Sequence, residues 1–183
     1  MTLKIDSFSG KYSFLSNFYV WSIEHEGLTY RTVEHAFQAS KTLDQNERRR
    51  IANMFAPGDA KRAGRRVKLR EDWEKVKVGV MLDLLRKKFA PPTLLSNALL
   101  NTDDAELIEG NTWGDRFWGV CEGEGKNILG KLLMALREEL RNPKKHATIV
   151  ILGGEVIGVG VLQLNYPSAI ISGVMDGDEE QTQ

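Results

Sequence analysis

The sequence predicts an α+β fold, mainly α-helical, with a few short strands in one compact domain and a β-hairpin extension at the C-terminal end. Three observations carry that expectation. The first is a run of helical patterns, strongest within residues 71–89, where Trp73, Val76, Val80, Met81, Leu84 and Leu85 recur at three- and four-residue spacing with charges between them. The second is punctuation: Ala56-Pro57-Gly58, Pro91-Pro92 and Asn142-Pro143 interrupt the chain between helical stretches. The third is a change of character after residue 146, where Val, Ile and Gly take over and charges nearly vanish. With 183 residues, 42% of them hydrophobic, the chain has the size of one domain with an extension and can bury a core without a disulfide or metal staple. We divide it into a main domain, residues 1–143, and an extension, residues 144–183.

The elements follow in order. Residues 19–25 alternate loosely and 28–31 are β-prone; the turn at His25-Glu26-Gly27 between them predicts a hairpin. Thr32 is placed to cap a helix over 33–43, with Glu34 in its first turn. A second helix is expected over 46–55, and Asp59 is placed to cap a third over 60–66. Beyond the long helix come a short one over 93–100, a strand over 106–109 and a Gly- and Trp-rich loop over 111–125. The last helix of the main domain covers 127–141, with Ile128, Leu129, Leu132, Leu133, Leu136 and Leu140 on one broad face.

Residues 147–175 hold a single charge, Glu155. Their length would suffice for a membrane helix. However, Gly153, Gly154, Gly158, Gly160, Gln163, Asn165, Pro167 and Gly173 interrupt the stretch, and it is rich in Val and Ile. Residues 148–152 and 156–162, separated by Gly153-Gly154-Glu155, therefore read as a β-hairpin rather than a membrane span. Such a hairpin could pair edge to edge with a second copy of the chain or extend a sheet of the main domain. The acidic end, 176–183, is expected to be solvated and flexible.

Cys121 is the one cysteine and the three histidines (His25, His35, His146) are scattered, which excludes a disulfide framework and argues against a metal cluster. The first ten residues show no apolar run behind a basic start, so a secretory leader is not expected and a reducing cytoplasm is. Formal net charge is zero, but that total hides an asymmetry. Residues 147–183 carry five acids and no Lys or Arg, leaving residues 1–146 with 25 basic and 20 acidic side chains, a net of +5. Within residues 41–70 ten basic residues face three acids.

Three groups of residues could carry chemistry. Glu34, Gln38 and Lys41 stand at i, i+4 and i+7 and share one helix face; they line a polar pocket or form a solvated ladder. The loop from Asn111 to Gly119 sets Trp113, Phe117 and Trp118 around Asp115. Indole faces suit flat heteroaromatic rings, and a carboxylate beside them suits acid–base work; the same rings could merely pack a long loop. Gly123-Glu124-Gly125-Lys126-Asn127 opens a helix where phosphate is favoured, though it lacks the Lys-Ser/Thr ending of a Walker motif. The basic run that includes Arg48, Arg49, Arg50, Lys61, Arg62, Arg65 and Arg66 is a solvated surface or a grip on phosphates. No serine elbow, HExxH or GxGxxG is present.

In this order the motifs resemble the NADAR superfamily and, within it, the YbiA-like N-glycosidases. The matching pieces are Leu15-Ser16-Asn17-Phe18, the run from Thr32 to Lys41, the run from Pro57 to Arg65, Arg70-Glu71-Asp72-Trp73-Glu74, Asp115-Arg116-Phe117-Trp118-Gly119 and the run from Gly125 to Gly130. The likeness spans about residues 5–141 and leaves the tail unmatched. It implies a small, mainly helical fold with a pocket for ribosylated ligands, no metal and no cofactor. It also implies cleavage of an N-glycosidic bond, either in riboflavin-pathway ribosylamino-pyrimidine phosphates or in ADP-ribosylated guanine of nucleic acid. A non-catalytic ADP-ribose- or nucleotide-binding module is the alternative.

Breaking a ribose–nitrogen bond builds positive charge at the anomeric carbon, which a fixed carboxylate stabilises while an acid protonates the leaving nitrogen. On the resemblance, Glu34 is the carboxylate or base, and Asp115 orients the sugar or serves as partner acid. Lys41 binds phosphate or attacks an opened ribose as a Schiff-base nucleophile. Gln38 and Asn17 would hydrogen-bond ribose or base edges. Trp118, Trp113 and Phe18 would stack on the base, with Gly119 beside them. Lys126, Asn127 and Arg65 would contact phosphate.

Overall fold

The computed structural model describes residues 3–152 and 155–163. Six helices and four separate two-stranded β-pairs make up the described part, so the fold class is the mainly helical α+β arrangement expected from the sequence. The strands are β1 (Lys4–Ile5), β2 (Ile23–His25), β3 (Leu28–Tyr30), β4 (Glu106–Leu107), β5 (Gly110–Asn111), β6 (Val120–Cys121), β7 (Lys145–Leu152) and β8 (Glu155–Gln163). The helices are α1 (Val33–Ala39), α2 (Gln45–Ala52), α3 (Pro57–Gly64), α4 (Trp73–Lys88), α5 (Leu94–Leu100) and α6 (Ile128–Arg141). A 3-10 turn, Gly10–Leu15, precedes β2.

Helix α1 is central. The Thr32 hydroxyl accepts the His35 N–H and so caps the helix start, and all seven of its residues are buried. It ends at Ala39 rather than at 43: the Ser40 hydroxyl donates back to the Ala36 carbonyl, and Lys41 O instead accepts the Arg70 N–H at 2.8 Å. Helix α2 starts at Asp44, whose carboxylate accepts the N–H groups of Asn46 and Glu47. Helix α3 differs from expectation at its start. Pro57, with no N–H to leave unpaired, occupies the first turn, and Asp59 lies inside the helix, paired with Arg62. Helix α4 buries Trp73, Met81, Leu84 and Leu85 as expected and adds Val78, Leu82 and Lys88. A reciprocal Thr93–Ser96 cap opens α5. Helix α6 packs Ile128, Leu129, Leu132, Leu133 and Leu136 into the same core.

The parallel pairs β1–β4 and β5–β6 tie chain segments together, and the glycine-rich loop expected over 111–125 contains one strand of the second pair. The hairpin β7–β8 is antiparallel, with an irregularity at Val150/Ile151. Its inner face, with Ala147, Ile149, Val156 and Val159, joins the main core. Glu139 on α6 accepts the Ala147 N–H at 2.9 Å and pairs with Arg86 of α4, which also donates to the Ala147 carbonyl. No helix among the described residues is long and apolar enough to cross a membrane. The hairpin's turn, Gly153-Gly154, and residues 164–183, including the acidic end, lie outside the described residues.

Candidate active site

The carboxylate and amide of α1 do not face solvent. Glu34 and Gln38 are 6% and 4% exposed, so the solvated-ladder reading of this helix is overturned. They open onto a cavity of about 340 Å³ whose lining includes Asn17, Phe18, Phe37, Lys41, Lys61, Glu109, Trp113, Asp115 and Trp118. The cavity therefore gathers α1, α3, the segment before β2 and the loop between β5 and β6.

Within it, Gln38 Nε2 donates to Glu34 Oε1 at 2.8 Å. Gly64, at the end of α3, makes room for this pair: a Cβ there would fall 2.0 Å from Gln38 Oε1 and 2.7 Å from its Cβ. Glu34 is further held by its backbone N–H, which donates to the Asn17 carbonyl at 3.0 Å. Burial pushes the Glu34 carboxyl up, opposed by the Gln38 hydrogen bond and by the charges of Lys61 and Lys41. Burial moves the Lys41 amine down, opposed by Glu34. The Lys41 ammonium lies 5.9 Å from the centroids of both Phe37 and Trp73.

Asp115 is fixed by its own loop. Its Oδ1 accepts the N–H groups of Phe117 and Trp118 at 3.1 and 2.9 Å. Asn111 exchanges hydrogen bonds with the Asp115 backbone and donates to the Val120 carbonyl. Trp118 stands edge-on to Phe37 and Phe117, forming an aromatic wall. Phe18 and Trp113 are exposed, and each ring lies under 6 Å from the Lys61 ammonium. Three buried oxygens of the cavity, Asn17 Oδ1, Gln38 Oε1 and Glu109 Oε2, have no hydrogen-bond partner. Such orphans cost about 1–3 kcal/mol each. Asn17 Oδ1 and Gln38 Oε1 suit ligand hydroxyl or amino donors.

Four residues read as ligand contacts from the sequence lie outside the cavity lining. Lys126 lies against the outside of the Phe117 ring, 5.8 Å from its centroid, because the backbone at 126 runs past Arg116. Arg65 is exposed beyond the end of α3, and its charge opposes protonation of Lys41. Asn127 is buried and spends its amide on the Glu109 N–H (3.0 Å) and the Leu107 carbonyl (2.8 Å). Gly119 permits a close backbone crossing, since a Cβ there would fall 2.1 Å from the Glu109 carbonyl oxygen. The sequence offers Glu109 only as the end of an expected strand and Lys61 only within a basic run that is a solvated surface or a grip on phosphates. Both reach the cavity through long-range packing, and the one local signal was that Asn127 and Gly119 both sit in matched motifs.

A serine–histidine–aspartate chain also exists. Ser40 Oγ lies 3.2 Å from His25 Nε2, and His25 Nδ1 lies 3.3 Å from Asp83. Ser40 is 2% exposed and its hydroxyl is committed to Ala36, so the chain ties the end of α1 to β2 and α4, and none of its three residues lines the cavity of Glu34.

Carboxylates, lysines and aromatic rings converge on one cleft of a small α+β domain, an arrangement suited to acid–base chemistry on a polar, ring-bearing ligand. Comparison with known proteins places it. The NADAR domain matches residues 6–141, and the chain belongs to that family. It is 47% identical over 137 residues to the N-glycosidase YbiA of Escherichia coli, covering 73% of this chain and 85% of that protein. An N-glycosidase of Nostoc punctiforme is 37% identical, over 72% of this chain and 87% of its own length. A riboflavin biosynthesis protein of Vibrio vulnificus is 38% identical over 71% of this chain but only 36% of its own length. The solved structure of E. coli YbiA superposes with a TM-score of 0.69 at 42% identity, covering 79% of this chain and 89% of that one.

Proposed function

We propose that this hydrolase of N-glycosyl bonds cleaves the ribose–nitrogen bond of a ribosylamino-pyrimidine phosphate of the kind met in riboflavin synthesis. The observation that carries the reading is the meeting of Glu34 and Asp115 with Lys41 and Lys61 in one aromatic-walled cavity. Its volume, about 340 Å³, is at the small end of ligand pockets and suits a mononucleotide-sized substrate. The Vibrio relative, of which the chain covers 36%, is named a riboflavin biosynthesis protein, which supports a substrate from that chemistry.

The base stacks on Trp118 and the phosphate pairs with Lys61 and Lys41. Asn17 and Gln38 accept from ribose hydroxyls through the oxygens that have no partner inside the protein, and Asp115 orients the sugar. As the bond lengthens, Glu34 stabilises positive charge at the anomeric carbon and takes a proton from the attacking water. In this reading residues 1–143 form the catalytic domain. The exposed Val150, Ile157 and Leu162 of the hairpin form a surface for pairing two copies.

A second substrate, ADP-ribosyl-guanine in nucleic acid, is favoured by the exposed Phe18 and Trp113 beside Lys61 and by the basic run around α3. Purified protein assayed on both substrates side by side decides between them. Glu34→Gln should lower turnover of the true substrate at least 1,000-fold, of the order that loss of an essential acid–base group gives, while circular dichroism stays unchanged. Full activity in that variant would refute the role of Glu34. Tight binding of either ligand with no product would make the chain a binding module instead.

A further inference from the structure

Glu109 lines the cavity, yet the mechanism above leaves it unused. Its place is built with care by residues far apart in the sequence. Asn127, at the head of α6 in a left-handed conformation, holds the Glu109 N–H and the Leu107 carbonyl. Val120 of β6 donates to the Glu109 carbonyl at 2.9 Å, and Gly119 allows that crossing. The groups facing Glu109 are Glu34 from α1, Lys61 from α3, Lys88 from α4 and Asp115 from the β5–β6 loop.

The two glutamates differ in what they are offered. Gln38 donates to Glu34, which favours the carboxylate against the burial that pushes this group up. Nothing donates to Glu109 Oε2, which is buried and without a partner, and this favours the protonated acid. A donor on one of two neighbouring carboxyl groups and none on the other is a difference that assigns them as base and acid.

We propose that Glu109 is the general acid of this site and gives its carboxyl proton to the departing base nitrogen. The assignment rests on the N-glycosidase reading of the cavity. The C1′–N bond breaks with its electron pair passing to nitrogen, the Glu109 proton forms the new N–H bond, and Glu109 becomes a carboxylate. Water adds to C1′ and gives its proton to Glu34; exchange with solvent returns both groups to their starting forms. Burial and the negative charge of Asp115 push Glu109 up to about 7, so its acid form persists to neutral pH and is lost above it.

The test compares two ribosyl 5′-phosphates. A ribosylamino-pyrimidine phosphate needs its leaving nitrogen protonated; nicotinamide mononucleotide, whose ring leaves as a neutral base, does not. Glu109→Gln should lower kcat/KM on the first by 100- to 10,000-fold and on the second by less than about tenfold. Glu34→Gln should impair both. In the wild-type protein kcat/KM for the first substrate should fall as pH rises through about 7, and the residual rate of Glu109→Gln should lack that limb. Equal losses on both substrates, or an alkaline limb that survives in Glu109→Gln, would overturn the acid assignment and leave the N-glycosidase reading standing. No hydrolysis of either substrate by the wild-type protein would overturn the ribosylamino-pyrimidine reading and, with it, the acid assignment.

Discussion

Glu109, which lines the cavity, and Lys88, whose charge it feels, respond to burial in opposite ways. Desolvation raises the acid to about 7 and lowers the fully buried amine to about 7. The signs make separate predictions for stability. A carboxyl raised above its ordinary 4.5 binds a proton more readily folded than unfolded, so its contribution is present below 4.5 and lost as pH rises through about 7. Each tenfold change in proton affinity between the folded and unfolded chain is worth roughly 1.4 kcal/mol. Glu109→Gln should therefore match the wild type near pH 4 and exceed it at pH 8 by about 1–3 kcal/mol in urea unfolding. Lys88 has the opposite sense. Its amine donates to the Ser16 carbonyl at 2.7 Å and lies near the Tyr19 and Phe89 rings. The unfolded chain keeps the lysine proton up to about 10.5, so wild-type stability should gain from this group as pH climbs from about 7 to 10.5. Lys88→Met should lose that gain; a parallel rise in the variant would refute the assignment. Neither behaviour is legible at the residues themselves: Glu109 follows a short β-prone run and Lys88 ends a helix among other basic residues.

At the scale of elements, the shared face of Glu34 and Gln38 was readable because the regular turn of a helix brings residues i and i+4 together. Whether that face met solvent or a cavity was not, since the answer lies in α3, which approaches only in the folded chain. Gly64 marks the approach. Glycine-to-alanine changes in helices ordinarily stabilise by about 0.5–1 kcal/mol, but here the added methyl displaces Gln38. Gly64→Ala should keep its helical circular dichroism and lose at least tenfold in kcat/KM, a split that local propensity does not produce. Helix ends followed the same division. Thr32 caps as its sequence context indicates, whereas Thr93, expected inside its helix, caps it instead, and α3 starts at Pro57 rather than after an Asp59 cap. Thr32→Ala should cost about 1–2 kcal/mol in unfolding free energy, because the same hydroxyl also meets His35 Nδ1 at 2.8 Å.

For the whole molecule, the charge division seen in the sequence has a structural counterpart. The cavity lining runs from Ser16 to Leu129, within the part of the chain that carries the net +5. The hairpin lies against α6 and is tied to α4 through Glu139 and Arg86, so it extends the core without entering the cavity lining. Truncation after Asn142 should lower the melting temperature by several degrees, change oligomer size or solubility, and leave kcat/KM within about threefold at 25 °C. Loss of activity with unchanged mass would place the hairpin in the catalytic fold. The sequence by itself determined the helical character, the hairpin, the family motifs and the helical spacing of Glu34 and Gln38, because periodicity, turn chemistry and caps act over a few residues. Only the tertiary structure decided that Glu109 and Lys61 join Glu34 in one cavity, that Asn127 and Gly119 serve as braces there, and how the carboxyl groups ionise. Those outcomes depend on contacts across some 75 residues between Glu34 and Glu109 and on the removal of water from charged groups, and neither exists until the chain has packed.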